Sequence, residues 1–267
     1  MSRSNERRFG FQPTEKVRQL LRAAEKGSFS DVANLLKIDS KAQLENFLEH
    51  QELGVDSCDE AGLTALHSSC ANGHESIVRL LLTRGASLDM KCRIGWTPLM
   101  FAAYYSHLSI VILLAQNKAN INSSNLMGAT PLICACRCGN LNVCSVLLDN
   151  GARTEQDSEN FNQYATTPLI TAAQHGHHQV VKLLIEHEAD INFQHPVTGW
   201  TALMIASLNG HLDIVRMLVE SGRADVNLVN AADQTALFVA SLHCRREVES
   251  YLDKRTSRKL ENKGIYC

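Results

Sequence analysis

The sequence predicts an all-α fold with short β-hairpin turns, a solenoid of stacked helix pairs. Three observations predict it: a threonine-led tetrad recurring at a near-constant period, an apolar quartet following each tetrad, and carboxylates replacing part of that quartet at one end.

The tetrads are Thr64-Ala65-Leu66-His67, Thr97-Pro98-Leu99-Met100, Thr130-Pro131-Leu132-Ile133, Thr167-Pro168-Leu169-Ile170, Thr201-Ala202-Leu203-Met204 and Thr235-Ala236-Leu237-Phe238. Successive threonines are 33, 33, 37, 34 and 34 residues apart. Threonine is suited to cap a helix, its hydroxyl accepting from an unpaired N–H of the first turn. Proline fits the first helical position, where its missing N–H costs nothing. A short helix then follows, such as Leu99 to Tyr105, and Gly73, Gly139, Gly176 and Gly210 end theirs in the left-handed conformation open to glycine.

The second helix of each repeat carries one apolar stripe. Ile77, Val78, Leu81 and Leu82 form it first. It returns as Ile110/Val111/Leu114/Ala115, Val143/Cys144/Leu147/Leu148, Val180/Val181/Leu184/Ile185 and Ile214/Val215/Leu218/Val219. In the last repeat it reads Val248, Glu249, Leu252, Asp253, as expected where nothing stacks beyond.

A period near 33 with such a tetrad resembles the ankyrin repeat. The resemblance covers Gly62 to Leu252 and, more loosely, Lys16 to Leu36. It implies a flexible terminus at 1–14 and an N-terminal capping helix pair with an inserted helical segment at 15–61. Repeats follow at 62–94, 95–127, 128–164 (with an enlarged hairpin), 165–198 and 199–232, then a C-terminal cap at 233–253 and a basic, frayed tail at 254–267.

Composition narrows the function. A net charge of -2 over 267 residues is no general field for polyanions. The densest apolar run, Leu108 to Ala115, is too short to span a bilayer, and the charged N-terminus lacks the apolar core of a secretory signal. Nine cysteines, odd in number and unevenly spaced, read as reduced thiols, so a cytoplasmic and also nuclear location is expected.

Cys134, Cys136, Cys138 and Cys144 invite a zinc reading. Helical geometry opposes it, because positions 134 and 138 share a face while 136 points away. Cys136 aligns with Cys70 and Ala103 as a small core residue, and Cys138 with exposed positions. His175-Gly176-His177-His178 resembles a ligand cluster, but Gly-His recurs at Gly73-His74 and Gly210-His211 as a turn. No catalytic or phosphate-binding motif stands out, so neither enzyme chemistry nor a cofactor or metal is expected.

The resemblance implies binding through hairpin tips and the exposed edges of the first helices, a concave surface. The tip candidates are Arg93, Ile94, Trp96, Leu126, Met127, Tyr164 and Trp200. The edge candidates are Tyr104, Tyr105, Arg137, Gln174, His175 and Leu208. Such a face fits a protein or peptide better than nucleic acid. The expected protein is an intracellular adaptor or scaffold, monomeric when free. The alternative is the target-recognition arm of a larger regulatory complex, such as a ubiquitin-ligase receptor, or a piece of a longer multidomain protein. The family pattern also marks Asn192, after Leu184 and Asp190-Ile191, for hydroxylation; its plainer role is a turn cap.

Overall fold

The computed structural model of the chain describes residues 13–36, 53–155 and 166–262, without the side chains of 257–262. The chain divides into two compact units, Met1–Leu126 and Met127–Cys267.

The first unit holds three helix pairs: α1 (Glu15–Lys26) with α2 (Phe29–Leu35), α3 (Ala65–Asn72) with α4 (Glu75–Thr83), and α5 (Pro98–Tyr104) with α6 (Leu108–Gln116). The second holds four: α7 (Pro131–Cys138) with α8 (Leu141–Asp149), α9 (Pro168–His175) with α10 (His178–Glu186), α11 (Ala202–Asn209) with α12 (Leu212–Glu220), and α13 (Ala236–Leu242) with α14 (Arg246–Asn262). Within each unit first helices pack on first helices and second helices on second. The hairpins are tight turns, and Cys58–Thr64 is the one isolated β-bridge among the described residues.

Each tetrad acts as its chemistry predicts. The hydroxyls of Thr64, Thr97, Thr130, Thr167, Thr201 and Thr235 accept from the backbone N–H three residues on. Thr14 does the same for α1, although no tetrad marks it. The tetrad leucines Leu66, Leu99, Leu132 and Leu169 are fully buried, and Cys70, Ala103, Cys136 and Ala173 keep the helices close. Burying each leucine contributes about 1.5–3 kcal/mol.

Two hydrogen-bond series join neighbouring repeats inside each unit. The Nε2–H of His74 donates to Glu25 O (2.8 Å), that of His107 to Ala71 O (3.0 Å), and that of His177 to Arg137 O (3.1 Å). Arg245 plays this part for Leu208 O (2.9 Å). Asn140 stands in the histidine position of its repeat, and its side chain instead caps α8 at Val143 N–H. On the hairpin side Asp56 accepts from Ser87 N–H, Asp89 from Asn120 N–H, Glu155 from Asp190 N–H and Asn192 from Asp225 N–H. These bonds explain why polar residues hold fixed places between apolar layers.

α14 runs past residue 253, where the C-terminal cap was expected to end, and continues to Asn262. Val248 and Leu252 are buried, and the guanidiniums of Arg216 and Arg255 each lie over the Tyr251 ring, 5.6 and 5.3 Å from its centroid. Its hydroxyl donates to Glu220, which also pairs with Arg255 at 3.6 Å. These contacts join α14 to α12 as far as Arg255.

Five non-glycine residues among those described take a positive φ, Ser106, Lys118, Glu188, Asp233 and Cys244, and two of them follow a second helix. Lys118 and Glu188 occupy the place of Gly85 and Gly151 after the second helix, with φ of 69° and 60°. Both side chains are exposed. Lys118→Gly and Glu188→Gly are each expected to stabilise the fold by a few tenths to about 1 kcal/mol, after the entropy that glycine adds to the unfolded chain. Urea midpoints provide the check.

A buried polar group lies in α11. Ser207 is fully buried and its hydroxyl has no hydrogen-bond partner among the described residues. The aligned residues are Cys70, Ala103, Cys136 and Ala173. Ser207→Ala is expected to raise stability by about 1 kcal/mol, because an unsatisfied buried hydroxyl costs about 1–3 kcal/mol. Thermal melting of the variant, unchanged or lowered, would contradict this.

Candidate partner-binding face

In the first unit the helix edge and hairpin tip meet in a continuous run of rings. Phe101 and Tyr104 fall at i and i+3 of α5, and Tyr105, the residue that caps it, follows at i+4, so the three rings share one side of the helix. Trp96 precedes the Thr97 cap and lies 5.0 Å from Phe101 and 5.5 Å from Tyr104, centroid to centroid. Tyr104 meets Tyr105 edge-on at 5.1 Å, and Tyr105 lies 6.5 Å from His107. Such pairs fix one another's orientation, contributing about 0.5–1.5 kcal/mol each beyond burial. Trp96 and Tyr104 are half-buried by this packing, whereas Tyr105 is 52% exposed.

Beside the rings runs a groove of about 370 Å³. One wall is α1, through Arg18, Leu21 and Arg22; the other is Phe101. Its floor is the small edge of α3, Ser68 and Ala71, so the groove exists because α3 lacks bulk between two larger neighbours. Phe101 and the α1 residues escaped the sequence reading. The spacing of Phe101 to Tyr104 and Tyr105 was a usable signal, whereas α1 lacks a tetrad to align its edge.

His67 ties the floor to the hairpin. Its Nδ1 accepts from Thr64 N–H at 3.1 Å, so the ring proton sits on Nε2, which faces Met90 O at 3.0 Å and Trp96 O at 3.2 Å. Burial pushes this imidazole below its ordinary 6.5, against the opposing pull of those carbonyls and of Asp59 and Asp56.

The other tip candidates of this unit are exposed: Arg93, Ile94 and Leu126. Tips are joined through main chain, with Arg93 N–H donating to Ala61 O and Leu126 N–H to Ile94 O.

In the second unit Met127, Arg137, Gln174 and His175 are exposed, while Trp200 and Leu208 are half-buried. The rings of His175 and His177 stack at 6.1 Å, and His175 Nδ1–H donates to Thr171 O. Met127 is the first residue of the second unit. Tyr164 lies outside the described residues.

Asn192 is more than a turn cap. Its side-chain amide donates to Arg223 O (2.8 Å) and accepts from Asp225 N–H (2.8 Å), linking one repeat to the next. The cysteines fit packing roles. Burial pushes the Cys134 thiol up to about 12, and Cys136, also pushed up by burial, faces Cys144 at 3.8 Å. Cys138 is exposed at the end of α7, and desolvation raises its thiol too, which lowers its thiolate fraction. Among the described residues no three His, Cys, Asp or Glu side chains converge as metal ligands, and no helix is long and apolar enough to cross a membrane.

Comparison with known proteins places this geometry. The chain is 38% identical over 89 residues to ankyrin repeat and SAM domain-containing protein 6 of Danio rerio, covering 33% of this chain and 12% of that protein. It is 33% identical over 60 residues to protein phosphatase 1 regulatory subunit 27 of Mus musculus (22% and 39%). It is 37% identical over 65 residues to the Notch-regulated ankyrin repeat-containing protein of Xenopus tropicalis (23% and 57%). The matches thus span less than two thirds of each relative. The crystal structure of the human ASB11 ankyrin repeat domain superposes with a TM-score of 0.69 at 23% identity, covering 86% of this chain and 96% of that one. That is a likeness of fold. The sequence profile of ankyrin repeats (3 copies) matches residues 20–125, 122–195 and 189–259, so the chain belongs to the ankyrin-repeat family, whose repeats are protein-interaction modules.

Proposed function

We propose that this protein is an adaptor or scaffold that holds a protein or peptide partner against its first-helix edges and hairpin tips. The observation that carries the reading is the ring run of Trp96, Phe101, Tyr104 and Tyr105 beside a groove with a small-residue floor. Rings locked by their neighbours lose little freedom on binding, and aromatic anchors dominate most interfaces. Arg93, Ile94 and Leu126 extend the surface in the first unit, and Met127, Arg137, Gln174, His175, Trp200 and Leu208 supply a corresponding set in the second. Service as the recognition arm of a larger complex would use the same residues. The proposed compartment is cytoplasm or nucleus, where its cysteines stay reduced.

Tyr105→Ala is the cleanest test, since Tyr105 is the most exposed ring of the run and Tyr104 packs on Trp96. The variant is expected to keep its melting temperature within a few degrees. Capture of the partner from cytosol, identified by mass spectrometry, is expected to weaken by about 2 kcal/mol, roughly thirtyfold. A folded Tyr105→Ala protein that captures the same partner undiminished would move the interface away from this face.

A further inference from the structure

The last helix pair ends in a face of two natures. In the second unit's tetrads that are followed by another repeat, the fourth residue is covered: Ile133, Ile170 and Met204 are at most 7% exposed. Phe238 holds that place in α13 and is 53% exposed. Leu237, whose equivalents are buried, is half-exposed, and Leu242 on the same helix is open. A terminal repeat is stabilised against association by a polar outer side, yet α13 keeps its apolar one. The polar change is confined to α14, where Glu249 replaces the buried Val215 of the preceding repeat and Asp253 replaces Val219. Neither carboxylate forms an ion pair with a described residue. Leu237, Phe238 and Ser241 on one side and Glu249, Ser250 and Asp253 on the other bound a groove of about 690 Å³.

We infer that this groove is a second docking site, and that its occupant is an amphipathic helix with a basic flank from a partner protein. The repeat itself indicates the helical form. Within the second unit each equivalent face is covered by helices, α9 on α7, α11 on α9, α13 on α11, and α12 on α10. Charge indicates the rest. An apolar stripe belongs against Phe238 and Leu237, and lysine or arginine along its border answers Glu249 and Asp253, which outnumber Arg246, the one cation among the described residues that line the groove. A second copy of the chain fits less well. Set face to face, the α14 carboxylates of two copies would meet each other.

The probe is a fluorescein-labelled helical peptide of about 15 residues, leucine on one face and lysine on the other. Its control carries glutamate in place of lysine. By fluorescence anisotropy the wild-type chain is expected to bind the lysine peptide at least tenfold more tightly than the glutamate peptide. E249K with D253K is expected to invert that order. Phe238→Ser is expected to weaken the lysine peptide at least tenfold, with Leu242→Ser as the second variant if the first fails to fold. Tyr105→Ala is expected to change nothing here, which separates this site from the ring face. Equal binding of the two peptides, or binding indifferent to both apolar substitutions, would overturn the inference. So would sedimentation of the wild type as a dimer that Phe238→Ser dissociates, since the face would then belong to a second copy.

Discussion

Gly199→Ala is expected to lower stability by about 3 kcal/mol, and Gly151→Ala by only about 1 kcal/mol. Both glycines have positive φ, 67° and 85°, so both substitutions carry the left-handed cost of about 1 kcal/mol. They differ in what a methyl group meets. At Gly151 nothing among the described residues lies within 4 Å of an added Cβ. At Gly199 the Cβ would fall 2.9 Å from Ala231 N and 2.9 Å from Asn230 Cα, both main-chain atoms of the next hairpin. Ala231 N–H donates to Thr198 O at 2.9 Å, so that hairpin is tied in place and has no rotamer to yield. Overpacking against fixed backbone adds about 1–3 kcal/mol. Gly95 is the same case in the first unit, with Leu126 N at 2.8 Å, and Gly95→Ala is expected to match Gly199→Ala. Urea unfolding decides it: equal losses for Gly151→Ala and Gly199→Ala would mean that the hairpin tips do not stack through main chain.

Acid is expected to weaken the first unit through His67. The folded state holds this imidazole neutral, below its ordinary 6.5, first by burial. Protonating Nδ1 would also turn an acceptor into a donor facing Thr64 N–H. Between the folded value and 6.5 the unfolded chain therefore binds the proton more tightly. Stability from this group is whole above about pH 6.5 and is lost as the pH falls towards the folded value, with a slope of up to about 1.4 kcal/mol per pH unit. His67→Met removes the titrating group while filling the space as Met100 and Met204 do in their repeats. The urea midpoint of the wild type is expected to drop between pH 7.5 and 5.5, and that of His67→Met to fall less steeply. Parallel profiles would assign the acid sensitivity to carboxylates instead.

Much of the fold is legible in the sequence because its signals act over a few residues. A threonine hydroxyl reaches the N–H three positions on, and a left-handed turn depends on one residue, so Thr97 and Lys118 could be assigned from neighbours alone. The stripe Ile110, Val111 and Leu114 likewise needs only helical spacing to define its buried side. Contacts between positions distant in the chain are different. His67 was readable as a tetrad residue, but its tautomer follows from carbonyls at Met90 and Trp96. Tyr104 was readable as an edge residue, but its half-burial follows from the angle at which Trp96 approaches. The basic, polar composition beyond Asp253 gives no sign of a continuing helix; the contacts of Tyr251 and Arg255 with α12 are visible only in the folded chain. Sequence by itself determined the repeat and its buried stripes, since these are set by periodicity and local backbone preference. Only the tertiary structure decided which aromatic rings face outward, because exposure there depends on how closely the neighbouring helix and hairpin pack.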